Sequence, residues 1–308
     1  MRKITLINAA PKLLGEYSNG NYKVSIYDDG TKIRETFDEN ATEFIPDFSE
    51  NVDITLTRKC SIGCSFCYDN SKVDGKHGNV NLDFLNNLHP FTEVALNGND
   101  LDHPQLLELL RKLKAQKVIA NITVHQKQFM NNLNLLRVLS DEKLLYGIGV
   151  SYSYPDNEFI REIQKFPNAV IHTIDGILKE SDINFLANKG LKLLILGYKH
   201  RGRGVVYSTQ NEMDIKGRQE FINKNIRRIR EEFAVLSFDN LALEHLPAVR
   251  EVVGSKWGEF YMGDDGKFTF YIDLVNETFA KNSCIDESFP IDGKNIDEMF
   301  NFIREKYK

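Results

Sequence analysis

Between residues 52 and 199, short runs rich in β-branched residues alternate with segments whose apolar residues recur at helical spacing. The strand-like runs are "VDITLT", "FTEVALN", "VIANITVH", "LLYGIGVSYS", "AVIHTI" and "LKLLILGYK". Between them lie "NLDFLNNL", "HPQLLELLRKLKAQK", "MNNLNLLRVLSDE", "NEFIREIQKF" and "ESDINFLANKG". A change of period from 2 to 3.6 at each boundary predicts successive right-handed βαβ units, hence an α/β fold built on a parallel sheet. A seventh strand, "AVLSFDNLALE", is expected after an amphipathic stretch over 212–233. Folds of this kind carry their chemistry on the loops that follow the carboxyl ends of the strands.

The flanks read differently. "YKVSIYDDGTKIRETF" alternates about Asp29-Gly30, a strong hairpin signal. From about residue 259 hairpins are expected again, over "FYMGDD", "GKFTFYIDLV" and "ETFAKNS", before a closing helix "NIDEMFNFIREKY". The expected organisation is a β-hairpin segment over 1–50, a β/α core over 51–245 and a hairpin and helix extension over 246–308, with the two β-rich flanks free to pair with each other.

The chain of 308 residues, 42% apolar and 27% charged, has the composition of a soluble globular protein. A net charge of -5 argues against generic nucleic-acid binding, which usually leaves a basic excess. No apolar run nears the ~18 residues needed to span a bilayer, and the opening segment lacks the apolar centre of a secretory signal. A cytoplasmic location without membrane association is therefore expected. The cysteine usage agrees: four in all, three of them within "LTRKCSIGCSFCYDN", which is no disulfide framework but suits reduced thiols used for metal or redox chemistry.

Cys60, Cys64 and Cys67 form C-x3-C-x2-C on the loop after the first core strand. Thiolates favour zinc, copper(I) or iron–sulfur clusters. A structural zinc site needs four ligands, and no second C-x2-C exists here. A four-iron cluster on three thiolates leaves one iron open to an outside ligand, the logic of a catalytic rather than a structural site. The small residues Ser61, Gly63 and Ser65 let the loop fold tightly.

This motif, with the aromatic Phe66 before its last cysteine and its place after the first strand, resembles that of the radical S-adenosylmethionine superfamily. The resemblance covers roughly 52–245 and implies a partial (β/α)6 barrel. It also implies a [4Fe-4S] cluster on Cys60, Cys64 and Cys67 whose open iron binds S-adenosyl-L-methionine. Reductive cleavage of that cofactor then gives a 5'-deoxyadenosyl radical that takes hydrogen from a substrate. An external one-electron reductant such as flavodoxin or ferredoxin is implied as partner. By position, the resemblance assigns cofactor contacts to Phe66, to Asn97, Gly98 and Asn99 after strand two, to Ser151 at the end of strand four and to Gly197 at the end of strand six. Asn99 stands where the family has glutamate, and His103-Pro104 follows as in many relatives.

The loop "GYKHRGRG" is the most basic local cluster. Its Lys199 and Arg203 are expected to receive an anionic group of a small-molecule or nucleotide-like substrate. Asp239 and Asn240, near the end of the seventh strand, are further substrate candidates. Lys76 and His77, on a glycine-bounded loop just after the cysteines, and Cys284, able to give a hydrogen atom to a product radical, are candidates for catalysis. Two other readings stand beside this one: a peptide-modifying enzyme of the same superfamily, weakened by the lack of a multi-cysteine C-terminal extension, and a non-catalytic iron–sulfur or zinc redox sensor, for which His77 is the one nearby candidate fourth ligand.

Overall fold

The computed structural model describes residues 11–97 and 100–308. A three-stranded antiparallel meander comes first: β1 (Leu13–Asn19), β2 (Tyr22–Tyr27) and β3 (Lys32–Thr36). The core strands follow: β4 (Asn51–Thr55), β5 (Glu93–Asn97), β6 (Ile119–His125), β7 (Gly147–Ser151), β8 (Ala169–Ile174), β9 (Lys192–Leu196) and β10 (Val235–Phe238). Each pairs in parallel with the next, so spatial order repeats chain order. That is the arrangement short right-handed crossovers favour. Beyond β4 the same sheet gains β11 (Thr269–Asp273), β12 (Thr278–Ala280) and β13 (Phe289–Pro290), giving ten strands among the described residues. The protein is thus α/β with a large, mostly parallel sheet.

The crossovers carry α1 (Leu106–Ala115), α2 (Gln126–Asn131), α3 (Leu133–Asp141), α4 (Asn157–Ile163), α5 (Glu180–Leu186) and α6 (Arg203–Glu232). After β10 come α7 (Asn240–His245), α8 (Ala248–Val253) and α9 (Trp257–Phe260), and α10 (Ile296–Lys306) lies near the end. Alternate strand residues such as Val52, Ile54, Val94, Leu96, Ile122 and Val124 are buried in one continuous apolar core with Leu109, Leu113 and Leu136 of the helices. The other face of the sheet is half-buried and polar, carrying Asp53, Asn97, Asn121, Thr123, Ser151 and His172. Parallel sheets are usually apolar on both faces, and here β8 and β9 add the half-buried apolar residues Val170, Ile174, Leu194 and Leu196 to the polar ones.

Several expectations need correction. "NLDFLNNL" makes only a 3-10 turn over Asp83–Asn86, because a segment so short before Pro90 leaves room for little more. The stretch 130–142 is broken at Asn132 into two helices. The flanking β pieces do not pair as strands. Instead β11 runs parallel to β4, with Thr269 beside Asn51 and Asp273 beside Thr55. The meander meets that region through Arg34, stacked 3.9 Å from the Phe268 ring, and through Tyr22 against the same ring. "FYMGDD" supplies the end of α9 and a loop rather than a strand. Among the described residues no helix is long and apolar enough to cross a membrane.

The ends of β8, α6 and α7 are joined through a fully buried carboxylate. Asp175 accepts from the Tyr198 N–H at 2.9 Å and from Gln219 at 3.2 Å, and pairs with His245 Nδ1 at 2.7 Å. That hydrogen bond, against the opposing effect of burial, raises the His245 pKa. A raised folded-state pKa gives stability that is complete below the unfolded value and disappears as pH climbs through the folded one. Denaturant midpoints should therefore fall with rising pH above about 6.5 more steeply for the native chain than for His245→Gln. Parallel pH profiles would remove His245 from this role.

Candidate functional site

β4 ends at Thr55, and the cysteine loop leaves its carboxyl end. The loop's base is a short ribbon: the Arg58 and Cys60 N–H groups donate to the Lys76 and Lys72 carbonyls, and Lys72 N–H returns a bond to Arg58, all at 2.9 Å. At the tip, Gly63 has φ +72°, and a turn closes from Cys67 N–H to the Cys64 carbonyl at 3.2 Å. Cys60, Cys64 and Cys67 are each half-buried, and none is in a disulfide. Burial, reinforced by the nearby Cys67 and Cys60, pushes the Cys64 thiol up, while Arg203 pulls it down. Cys60 and Cys67 thus each lie within electrostatic reach of Cys64.

Two arginines hold this loop. Arg58 bridges it to the sheet, with Nη2 at 2.8 Å from Asp69 and Nη1 at 2.8 Å from Asp273 on β11. Arg203 braces the other side: its Nε donates to the Cys64 carbonyl and its Nη1 to the Ser71 carbonyl, both at 2.9 Å, and its own N–H reaches the Cys67 carbonyl at 2.9 Å. Gly202 makes this approach feasible. It has φ +54°, and a Cβ there would come within 2.5 Å of the Tyr68 carbonyl. Helix α6 begins at Arg203, nine residues before the amphipathic stretch that starts at 212, and bends at Asn211, which has non-helical angles.

The donors that the loop offers are soft thiols, which suit zinc, copper(I) or an iron–sulfur cluster. Among the described residues no three His, Cys, Asp or Glu side chains converge as ligands of one metal would. A cluster asks for something else, namely soft thiolates spaced along a loop so that each meets its own iron. The loop offers three half-buried thiols and a small-residue tip, and Arg203 ties back the Cys64 and Ser71 carbonyls.

Of the cofactor candidates, Asn97 ends β5 with its Oδ1 accepting from Thr55 Oγ1 at 2.9 Å, and Thr55 is in turn 2.6 Å from the Tyr271 hydroxyl. Gly98 and Asn99 lie outside the described residues. Ser151 ends β7 in register between His125 and His172. Burial pushes His172 down to about 4, so it stays neutral at physiological pH. Phe66 packs edge-on against Tyr207 at 5.7 Å. Gly197 donates its N–H to Asp239 at 2.8 Å, and a Cβ there would meet the Leu241 backbone at 2.6 Å, so close packing on α7 is its visible duty.

Lys76 is exposed. His77 is 3.0 Å from Thr57 Oγ1 and stacks edge-on with His103, and burial lowers its pKa. His103 is itself buried and meets the Gly78 carbonyl at 3.1 Å, so it anchors the chain that returns from the cysteine loop.

Lys199, Asp239, Asn240 and Cys284 do come together. They line a cavity of about 80 Å³ with Asp53 of β4 and Asp265. A second cavity of about 270 Å³, bounded by Lys32, Arg34, Glu50, Glu93 and Met262, shares Asp53, Asn240 and Asp265 with the first. Lys199 Nζ donates to Ser283 Oγ at 2.6 Å and lies 4.2 Å above the Tyr68 ring. Burial pushes Asp53 up to about 6, with Lys199 opposing, and it also raises Cys284 and Asp239. Asp239 serves as the N-cap of α7 through the Ala242 N–H at 2.8 Å.

The rest of the basic loop is occupied. Arg201 pairs with Asp286 at 3.2 Å and donates to the Ser283 carbonyl, and His200 meets Ser208. The convergence of Lys199 and Arg203 on one anion is therefore not present. Residues that the sequence reading passed over are Arg58, Asp53, Thr55 and Asp273. Arg58 had a signal, a cation two places before the first cysteine, whereas Asp53 looked like any polar residue of an alternating strand. No protein-family model matches the chain, and no curated protein matches it either.

Proposed function

We propose that the protein is a radical S-adenosylmethionine enzyme. The observation that carries this reading is three thiols on one braced loop, leaving the carboxyl end of the first of seven parallel strands laid down in chain order. Sequential order and a partly polar inner face suit a partial barrel. So does the shared cavity between Asp53 of β4 and Lys199 after β9, strands that stand five places apart in the sheet. Cys60, Cys64 and Cys67 would hold a [4Fe-4S] cluster. When bound, cluster and S-adenosyl-L-methionine supply a 5'-deoxyadenosyl radical able to take hydrogen from substrate.

The chain's own part is placement and exclusion of water. Arg58 and Arg203 keep the loop seated, Asn97 and Ser151 offer polar groups at strand ends for the cofactor, and the interior beneath receives the substrate. An electron must come from outside, for which flavodoxin or ferredoxin suffices.

The test uses anaerobically purified protein with its native metal. Reduction by dithionite in the presence of S-adenosylmethionine should yield 5'-deoxyadenosine, and metal analysis should find iron and sulfide. Zinc in place of iron, or iron-loaded protein that leaves S-adenosylmethionine intact, would sink the reading and favour a redox sensor.

A further inference from the structure

Asp53 stands mid-strand on β4 where the two cavities meet. The other carboxylates around it are already matched. Glu50 takes the Tyr22 hydroxyl at 2.6 Å and Arg34 at 2.8 Å, and Glu93 pairs with Lys32 at 2.8 Å. Asp239 accepts two backbone N–H groups, each at 2.8 Å, and Asp265 accepts the Asn240 and Asn282 amides, each at 2.7 Å.

Asp53 differs. Its one hydrogen bond among the described residues is a long one, 3.3 Å from Asn51 Nδ2. Lys199 and Lys281, the cations in the same wall, are turned aside, Lys199 to Ser283 and Tyr68 and Lys281 over the Tyr307 ring at 5.2 Å, and among the described residues no cation forms an ion pair with Asp53. A carboxylate in a cavity wall with no ion-pair partner is costly, and a cation brought in by a ligand reduces that cost. Glu50 and Glu93 show the alternative in the same chamber, where the chain supplies the cations itself.

We infer that the interior chamber binds a small molecule carrying a protonated nitrogen, received by the Asp53 carboxylate. This reverses the charge that the basic loop led one to expect, because Arg203 and Arg201 are engaged elsewhere while Asp53 faces open space. A cavity of about 270 Å³ beside one of about 80 Å³ takes a free small molecule of this kind rather than a folded partner. That the ligand is the substrate rests on the proposed function; that it binds does not.

The test measures binding of putrescine, and of succinate as its anionic counterpart, to the full-length, anaerobically purified protein at pH 8 by saturation-transfer NMR. Putrescine should bind saturably, at least tenfold more tightly than succinate, and Asp53→Asn should weaken it at least tenfold. Equal or reversed preference, no saturable putrescine binding, or unchanged affinity in a folded Asp53→Asn variant would each overturn the inference. Should that variant fail to fold, the putrescine-to-succinate preference of the native chain decides alone. The readout needs no added S-adenosylmethionine and no turnover, so its failure is separable from a failure to form 5'-deoxyadenosine.

Discussion

Replacing Cys60, Cys64 or Cys67 singly with alanine should abolish iron and sulfide binding in anaerobically purified protein, whereas Cys284→Ala should leave both unchanged. The three thiols share one loop, and two of them, Cys60 and Cys67, bear on the titration of Cys64. Cys284 belongs to another environment, where Lys199, Asp239, Asp265 and Arg201 act on it and its N–H is held by Asn282 at 2.8 Å. A cluster with three protein ligands does not survive loss of one without a substitute, and His77, the histidine nearest to the three cysteines along the chain, is engaged by Thr57. Full iron content in any of the three variants would remove that cysteine from the ligand set. Loss of iron in Cys284→Ala would instead indicate four protein ligands, and with them an electron carrier.

Arg58→Met should destabilise the chain by about 3 kcal/mol. Its guanidinium, 23% exposed, sits between Asp69 and Asp273, whose side chains are 9% and 5% exposed. Removing the cation strands two largely buried carboxylates, and removal of one partner from such a group costs more than the pair itself contributes. The partial exposure of Arg58 places the loss at the lower end of the usual range. A melting-temperature drop of about 4–5 °C is the expected reading.

The same substitution should lower iron content, because Asp69 lies two residues beyond Cys67 and the bridge to β11 is what ties that part of the loop to the sheet. Adding Asp69→Asn and Asp273→Asn to Arg58→Met should recover part of the stability without recovering the iron. A single variant that melts within a degree of the native chain, with iron intact, would show the bridge to be incidental.

The place of the cysteine loop was legible because each signal for it is local. Alternation in "VDITLT" marks β4, thiol spacing marks the cysteine motif, and the helical period of "HPQLLELLRKLKAQK" marks the crossover from β5 to β6. Local patterns also fixed chain order as spatial order, since short right-handed connections leave few other choices.

Arg203 shows where such reasoning stops. In "GYKHRGRG" it reads as one more cation of a basic loop. Its direction depends on Gly202 adopting φ +54° against the Tyr68 carbonyl, more than 130 residues away in the chain. The partner of β11 was equally hidden: "FTFYID" pairs as readily in a hairpin as beside β4, and only the assembled sheet edge decides between them.

Sequence alone therefore determined the order of the core strands, and which thiols are spaced as a motif and on which loop, whereas "AVLSFDNLALE" gives way to helix α7 after Phe238. Tertiary structure decided the charge of the chamber. A cation's reach and a carboxylate's lack of a partner are set by groups that meet only after β4, β9, β10 and β11 are brought around one interior. Asp53 on β4 has no neighbour in sequence to reveal that it faces Lys199, Asp239 and Asp265 across open space. Hydrogen bonds and ion pairs act over a few ångströms, so residues 146 to 212 positions apart determine its chemistry only through the fold.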